Sequence, residues 1–179
     1  RHTALSLSDD AQARLTFCEL PAEDAGDAFA PGMFQVIACH TLLEYLERPQ
    51  ATIAELAGLL SRDGLLSISF VNRHAEVLRQ VWSRGDPEGA QQTLEDGSFC
   101  AGLFGIPGQA YTAEEVSAWL SPLGLTVTAM YGVRAFADQV PQERLEESEF
   151  LDALVELEAA AAQFDPYRQI ARYVHLLAH

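Results

Sequence analysis

Basic residues are scarce, 11 against 26 acidic ones in 179 positions, for a formal net charge of −15 at pH 7 and a pI near 4.5. A surface of that sign repels phosphate backbones and anionic membranes at long range, so a nucleic-acid or membrane role must rest on local basic patches. Cysteine is scarce as well. Cys18, Cys39 and Cys100 are odd in number and widely spaced, which excludes a disulfide framework and suits reduced thiols in a reducing compartment, the cytoplasm. No run approaches the ~20 apolar residues of a membrane span, and no basic stretch followed by an apolar one opens the chain. A Gly-rich nucleotide-binding turn after a first strand is also missing, since Gly102-x-x-Gly105-x-x-Gly108 follows no strand and reads as loop. What is present is globular: 49% hydrophobic residues, 21% charged and a mean hydropathy of +0.02 permit a sizeable core in one domain spanning 1–179.

Short buried runs alternate with longer helical stretches, the pattern of an α/β fold with a sheet covered on both faces. Leu15–Cys18 reads as a first strand ending in the polar turn Pro21–Gly26. Met33–Cys39 is nearly continuous in apolar character, as a central parallel strand would be. A helix from about Arg48 to Leu60 carries Pro49 in its first turn and Ile53, Leu56, Leu59 and Leu60 on one face, with Asp63-Gly64 closing it before strand Leu65–Phe70. A helix over Ala75–Trp82 and a Gly-rich connector follow, and the stretch from about 75 to 110 is expected to be an inserted cap or lid. Thr112-Ala113-Glu114-Glu115 is a capping box starting helix Ala113–Leu120. Leu125–Ala135 alternates as a strand, Glu146–Gln163 is a long helix with Phe150, Leu154 and Leu157 facing inward, and Ala171–Leu177 has strand character.

Ligands of open α/β sheets bind outside the carboxyl ends of the parallel strands. Ala22, Glu23 and Asp24 fall at one such end and His40 at the next. A backbone amide and a carboxylate suit an adenine edge, and His40 suits the sugar or amino-acid side of the same ligand. The plain alternatives are a surface turn with capping duty and a strand-end histidine satisfied by backbone. Other chemistry is disfavoured. His175-x-x-x-His179 has helical metal-ligand spacing but lies on a strand, so no metal is expected. Cys39 and His40 point to opposite faces, Ser61 and Ser121 lack a Gly-x-Ser-x-Gly context, and Glu156 and Glu158 fall on different helix faces, so no catalytic nucleophile or carboxylate pair is expected.

Phe34-Gln35-Val36-Ile37-Ala38-Cys39-His40-x-Leu42-Leu43-Glu44-Tyr45-Leu46, then Pro49, then Leu60-Ser61-Arg62-Asp63-Gly64-Leu65-Leu66 resembles the central stretch of class I S-adenosylmethionine-dependent methyltransferases. Phe70-Val71-Asn72-x-His74, Tyr131-Gly132-Val133-Arg134-x-Phe136-x-Asp138, Ala153–Glu158, Asp165-Pro166-Tyr167 and Arg172-Tyr173-Val174-His175 resemble more narrowly the bacterial tRNA carboxymethoxyuridine methyltransferases, which esterify the carboxylate of a modified wobble uridine. The likeness runs from about Leu15 to the end. It implies a Rossmann-like, doubly wound, mostly parallel sheet with an antiparallel C-terminal strand, S-adenosyl-L-methionine as cofactor and tRNA as partner. It also implies cofactor contacts at Ala22, Glu23 and His40, beside which Asp24 is a candidate from its place in the same turn.

Three departures qualify it. The glycine turn and the ribose-binding acid of that family would lie before Arg1, so a chain starting there is not expected to bind the cofactor normally. Gln35 stands where an aspartate is usual. The connector Gly97–Gly105 is apolar where a lysine-rich tRNA-contacting stretch is expected. Arg134, Arg172, Tyr173 and His175 are the substrate candidates, since guanidinium forks bind carboxylate or phosphate bidentately and Tyr and His orient or stack; Asn72 and His74, just past a strand end, would line the same cleft, with a capping or turn role as the somewhat stronger alternative. The alternative for each arginine is an ion pair with a carboxylate such as Asp138 or Glu156. Two further readings stay open: a methyltransferase of a small-molecule acid with Phe99–Ile106 as a lid, and a non-catalytic binding or dimerisation domain.

Overall fold

The computed structural model describes residues 9–101 and 105–179. In chain order it contains α1 (Asp9–Ala13), a 3-10 turn (Ala22–Asp24), α2 (Ala25–Ala28), β1 (Phe34–His40), a 3-10 turn (Leu43–Tyr45), α3 (Pro49–Leu59) and β2 (Leu60–Val71). Then come α4 (Arg73–Arg84), α5 (Pro87–Asp96), β3 (Ser98–Ala101), β4 (Ile106–Gln109), α6 (Ala113–Leu120), β5 (Val127–Val133), α7 (Gln142–Leu145), α8 (Ser148–Ala161), α9 (Tyr167–Ile170) and β6 (Tyr173–Ala178).

Four strands form one sheet in the order β1-β2-β6-β5, and β3 pairs with β4 as a separate antiparallel hairpin. β1 and β2 are parallel, with His40 opposite Ser69, while β6 runs antiparallel to both of its neighbours, setting Tyr173 opposite Val71 on one side and Val133 on the other. The carboxyl ends of β1, β2 and β5 therefore meet the amino end of β6 along one edge. This is the expected α/β sheet with an antiparallel last strand. Leu66, Ile68 and Phe70 of β2 and Val174, Leu176 and Ala178 of β6 alternate onto one face, where Ile53 of α3 and Val116 and Leu120 of α6 pack against them. Burying each of these larger side chains contributes roughly 1.5–3 kcal/mol. The capping box is formed: the Thr112 hydroxyl accepts from Glu115 N–H at 3.2 Å and Glu115 Oε2 accepts from Thr112 N–H at 2.8 Å.

Several expectations change. Leu15–Cys18 is irregular, with Phe17 89% exposed, because four alternating residues become a strand only beside a hydrogen-bonding neighbour, and none pairs with them among the described residues. Ala22–Asp24 therefore does not sit at a strand end. The apolar run of β1 is an edge strand of the described sheet and leaves Val36 59% exposed on the face away from the core. Asp63-Gly64 does not close α3 but lies inside β2, at an irregularity where the partner of Phe34 is Leu60 and that of Val36 is Leu65. A Cβ on Gly64 would come within 2.9 Å of the Ser61 carbonyl oxygen, so the irregularity requires glycine there. Leu157 points outward on α8, whose buried apolar residues are Leu154 and Ala161. The connector after α4 holds a helix the periodicity missed: the Asp86 side chain accepts from Gly89 N–H at 2.8 Å, and Pro87 opens α5. Gly102, Leu103 and Phe104 lie outside the described residues.

Candidate functional site

The shared edge collects His40 at the end of β1, Asn72 after β2, Arg134 after β5, and Arg172 and Tyr173 at the start of β6. Two non-glycine residues adopt positive φ, Thr41 at 49° and Arg134 at 61°, and both follow strands ending at this edge. Such backbone costs about 1–2 kcal/mol and persists where the surroundings hold it. At Arg134 the hold is explicit. Glu158 on α8 accepts the N–H groups of Ala135, Phe136 and Ala137 at 2.7, 2.9 and 2.9 Å, and the Arg134 carbonyl accepts from Arg172 N–H at 3.0 Å.

A carboxylate buried beneath this edge organises the arginines. Glu76, on the first turn of α4 and 0% exposed, accepts from Arg79 Nε and Nη2 at 2.9 and 2.8 Å and from Arg172 Nη1 at 2.5 Å, with Arg84 Nη1 at 3.8 Å. Asp138 pairs with Arg134 and lies 3.7 Å from Arg172 Nε. Every basic residue of the chain is an arginine, and four of them here, Arg79, Arg84, Arg134 and Arg172, face the carboxylates of Glu76 and Asp138, with Glu158 hydrogen-bonded to the loop beside Arg134 and Glu44 near enough to Arg172 to feel its charge. Burial works against the Arg172 charge, but Glu76 and Tyr173 outweigh it and raise its pKa above the usual guanidinium range. The Arg172 guanidinium also stands 5.5 Å from the Tyr173 ring centroid. The ion-pair alternative thus holds for both arginines through Asp138 and Glu76, whereas Glu156 is exposed on α8.

Asn72 is not open to a ligand. It is 1% exposed, its amide donates to the carbonyls of Gln169 and Ala171 at 2.8 and 2.9 Å, and its Oδ1 accepts from His74 N–H as the N-cap of α4. It holds the segment that carries Arg172. His175 lies further along β6, where Ser67 Oγ bridges its Nε2 and that of His40, both at 2.8 Å. One hydroxyl proton serves two ring nitrogens, so with both rings neutral one imidazole accepts while the other donates. Burial, and then the neighbouring His40, lower the pKa of His175. Glu44, within the turn after β1, is 2% exposed; its Oε1 accepts from Val71 N–H at 2.6 Å while Oε2 has no hydrogen-bond partner among the described residues. Burial raises its pKa, and burial followed by the Glu44 charge pushes the Cys39 thiol up to about 11.

The Ala22–Asp24 turn packs with α2 against α3, where Gly26 N–H donates to Glu55 Oε1 at 2.9 Å; among the described residues no hydrogen bond or ion pair joins it to His40. β4 folds onto the Leu43–Tyr45 turn. Among the described residues, no group of three or more His, Cys, Asp or Glu is arranged to hold a metal, and no helix is long and apolar enough to cross a membrane. Glu76, Arg79 and Glu158 were not legible as site residues. Glu158 stands inside a quoted motif, but its partners are backbone amides that no side-chain pattern reports.

No protein-family model matches the chain. It is 25% identical over 182 residues to the tRNA 5-carboxymethoxyuridine methyltransferase of Escherichia coli, in strains K12 and O157:H7 alike, a match covering 98% of this chain and 63% of those relatives. Among solved structures it is similar to an S-adenosylmethionine-dependent methyltransferase of Thermotoga maritima (TM-score 0.60, 13% identity, 94% of this chain and 66% of that one). It is also similar to one of Listeria monocytogenes (0.56, 14%, 94% and 72%). The fold is thus that of class I S-adenosylmethionine-dependent methyltransferases, and the resemblance in the motifs extends over nearly the whole chain.

Proposed function

We propose that the protein is an S-adenosylmethionine-dependent methyltransferase acting on a carboxylate, that of a modified wobble uridine in tRNA, in the cytoplasm. The observation that carries this is the convergence of Arg134 and Arg172 at the carboxyl edge of the sheet, on the same edge as His40. The E. coli relatives carry the named activity on tRNA, and this chain spans 63% of their length. His40, with the Ala22–Asp24 turn, would contact the cofactor; the strained backbone at Thr41, next to His40, fits a strand end built to approach a ligand. When bound, that cofactor supplies a methyl group on a cationic sulfur.

The chain's own part is alignment. A carboxylic acid with a pKa around 4 is already ionised at pH 7, so the reacting oxygen needs no general base. Arg134 and Arg172 hold the anion by charge-assisted hydrogen bonds, and Tyr173 braces the Arg172 guanidinium from its ring face. Positioning of this kind contributes up to roughly 7–11 kcal/mol. The β3–β4 pair, of which β4 packs on the Leu43–Tyr45 turn, would close over the edge as the lid and exclude water. Asn72 and His175 act one layer back, on the segment and strand that carry Arg172 and Tyr173.

A small-molecule acid is the second reading, favoured by the net charge of −15, which disfavours a polyanion. Methyl transfer from labelled S-adenosylmethionine to tRNA bearing 5-carboxymethoxyuridine, run beside calorimetry with S-adenosylhomocysteine, tests both. The protein assayed carries its native N-terminus, and cofactor binding with ester formation on that tRNA is expected of it. Binding with turnover only of free carboxylic acids selects the second reading, and no heat at millimolar cofactor refutes both.

A further inference from the structure

One face of α4 and the strand edge line a half-open pocket. Ala75, Leu78, Arg79 and Trp82 recur at the spacing of successive helical turns and form one wall; Arg134 and Arg172 lie opposite, with Asp138 between them as the carboxylate that pairs with both and that an incoming anion would displace. About 50 Å³ of the pocket is reachable by water-sized groups, space for a few of them, which suits a carboxylate. At the rim stands Trp82, 64% exposed, on a helix otherwise anchored by buried Ala75, Glu76 and Gln80. Burial in the core does not explain an indole there, and it lines the same pocket as Arg79, Arg134 and Arg172.

We propose that Trp82 is a specificity-determining residue: its indole stacks on the planar base of a substrate whose carboxylate enters the arginine pocket. This rests on the carboxylate-methylating reading and narrows it, since an aliphatic acid would gain nothing from the indole, whereas a nucleobase stacks with any of its faces. Glu76 supports the arrangement by fixing Arg79 and Arg172 on either side of the pocket from beneath.

The test uses the nucleoside 5-carboxymethoxyuridine, with uridine (ring without carboxylate) and ethoxyacetate (carboxylate without ring) as controls. Trp119, packed 4.9 Å from the Tyr111 ring, is replaced by Phe so that Trp82 is the sole indole reporter. The carboxylated nucleoside is expected to quench Trp82 fluorescence and to bind about 10-fold or more tighter than either control, by the usual strength of base stacking. In an otherwise native background, Trp82→Ala should lose that advantage for the nucleoside while binding ethoxyacetate as before, with an unchanged melting temperature, and Trp82→Phe should retain part of it. Equal nucleoside affinity in native protein and Trp82→Ala, without quenching, overturns the stacking role and leaves the carboxylate reading standing. Failure of the native protein to bind any of the carboxylates overturns that reading and the inference with it.

Discussion

Replacing Glu158 by alanine removes the acceptor shared by three consecutive amides, those of Ala135, Phe136 and Ala137. Hydrogen bonds to a charged group contribute about 1.5–3 kcal/mol each, but these amides are half-buried and water recovers part of each one, so a total loss of about 2–4 kcal/mol is expected. For a chain of this length, 1 kcal/mol corresponds to about 2–4 °C, which places the fall in Tm at about 5–15 °C. Glutamine grades the effect. Its remaining oxygen can keep the two bonds made by Oε1, to Phe136 and Ala137, while the amide nitrogen faces the Ala135 N–H, so about half the alanine loss should remain. The same loop holds Arg134 at φ 61°, a conformation glycine adopts without the about 1 kcal/mol cost of other residues. Arg134→Gly should therefore be about 1 kcal/mol more stable than Arg134→Ala, the reverse of the usual order. Urea unfolding followed by circular dichroism reads all four variants. A Glu158→Ala protein within 0.5 kcal/mol of the native one, or Arg134→Ala at least as stable as Arg134→Gly, would refute the claim that Glu158 imposes the backbone of this edge.

Three further outcomes are expected. Arg172→Ala and Arg172→Lys should each lose about 1–3 kcal/mol of stability, because a fully buried Glu76 loses a donor, whereas Arg134→Gly, which breaks a half-exposed ion pair, should cost at most about 1 kcal/mol. All three should lower kcat/KM by about 2 kcal/mol or more, and unchanged turnover would return both arginines to structural duty. His175 binds its proton in the unfolded chain near an ordinary imidazole value, about 6.5, but only at lower pH when folded. Its contribution is therefore complete above that value and is lost as pH falls through the folded one, so the stability gap between native protein and His175→Asn should shrink from about pH 7.5 to about 5.5; a constant gap in urea midpoints contradicts this. Finally, thiol titration of the folded protein should find Cys18 and Cys100 reactive and Cys39 silent until denaturant is added, since Cys39 is buried with its pKa pushed up to about 11; rapid labelling of all three would contradict it.

The strands and helices with strong periodicity were legible: β1, α3, α6 with its capping box, and β6 stand where apolar spacing and Thr112/Glu115 chemistry predict, within a residue or two. Leu15–Cys18 was not, because an alternating tetrapeptide carries no information about whether a partner strand lies beside it. Asp63-Gly64 misled for a related reason: the pair that ends a helix in isolation also serves an irregularity between parallel strands, and only the register with Phe34 tells the two apart. At the site, Arg134 and Arg172 stood out as rare cations in apolar surroundings. Glu76 did not, since on α4 it reads as one more acidic residue among 26; its role comes from Arg172, 96 positions later in the chain.

The Asn72 clamp also sets an order of events during folding. Its amide joins the end of β2 to carbonyls 97 and 99 residues onward, so the wall bearing Arg172 cannot meet the wall bearing Trp82 until β6 has docked between β2 and β5. Loop closure over that distance is entropically slow to repay, which places the pocket among the last features to form. An anion held there would draw its affinity from a completed sheet and would return it as resistance to the undocking of β6, by the mass-action linkage that couples any native-state ligand to the fold. Proteolysis near the C-terminus, slowed by a bound carboxylate, would make that coupling visible as a rate.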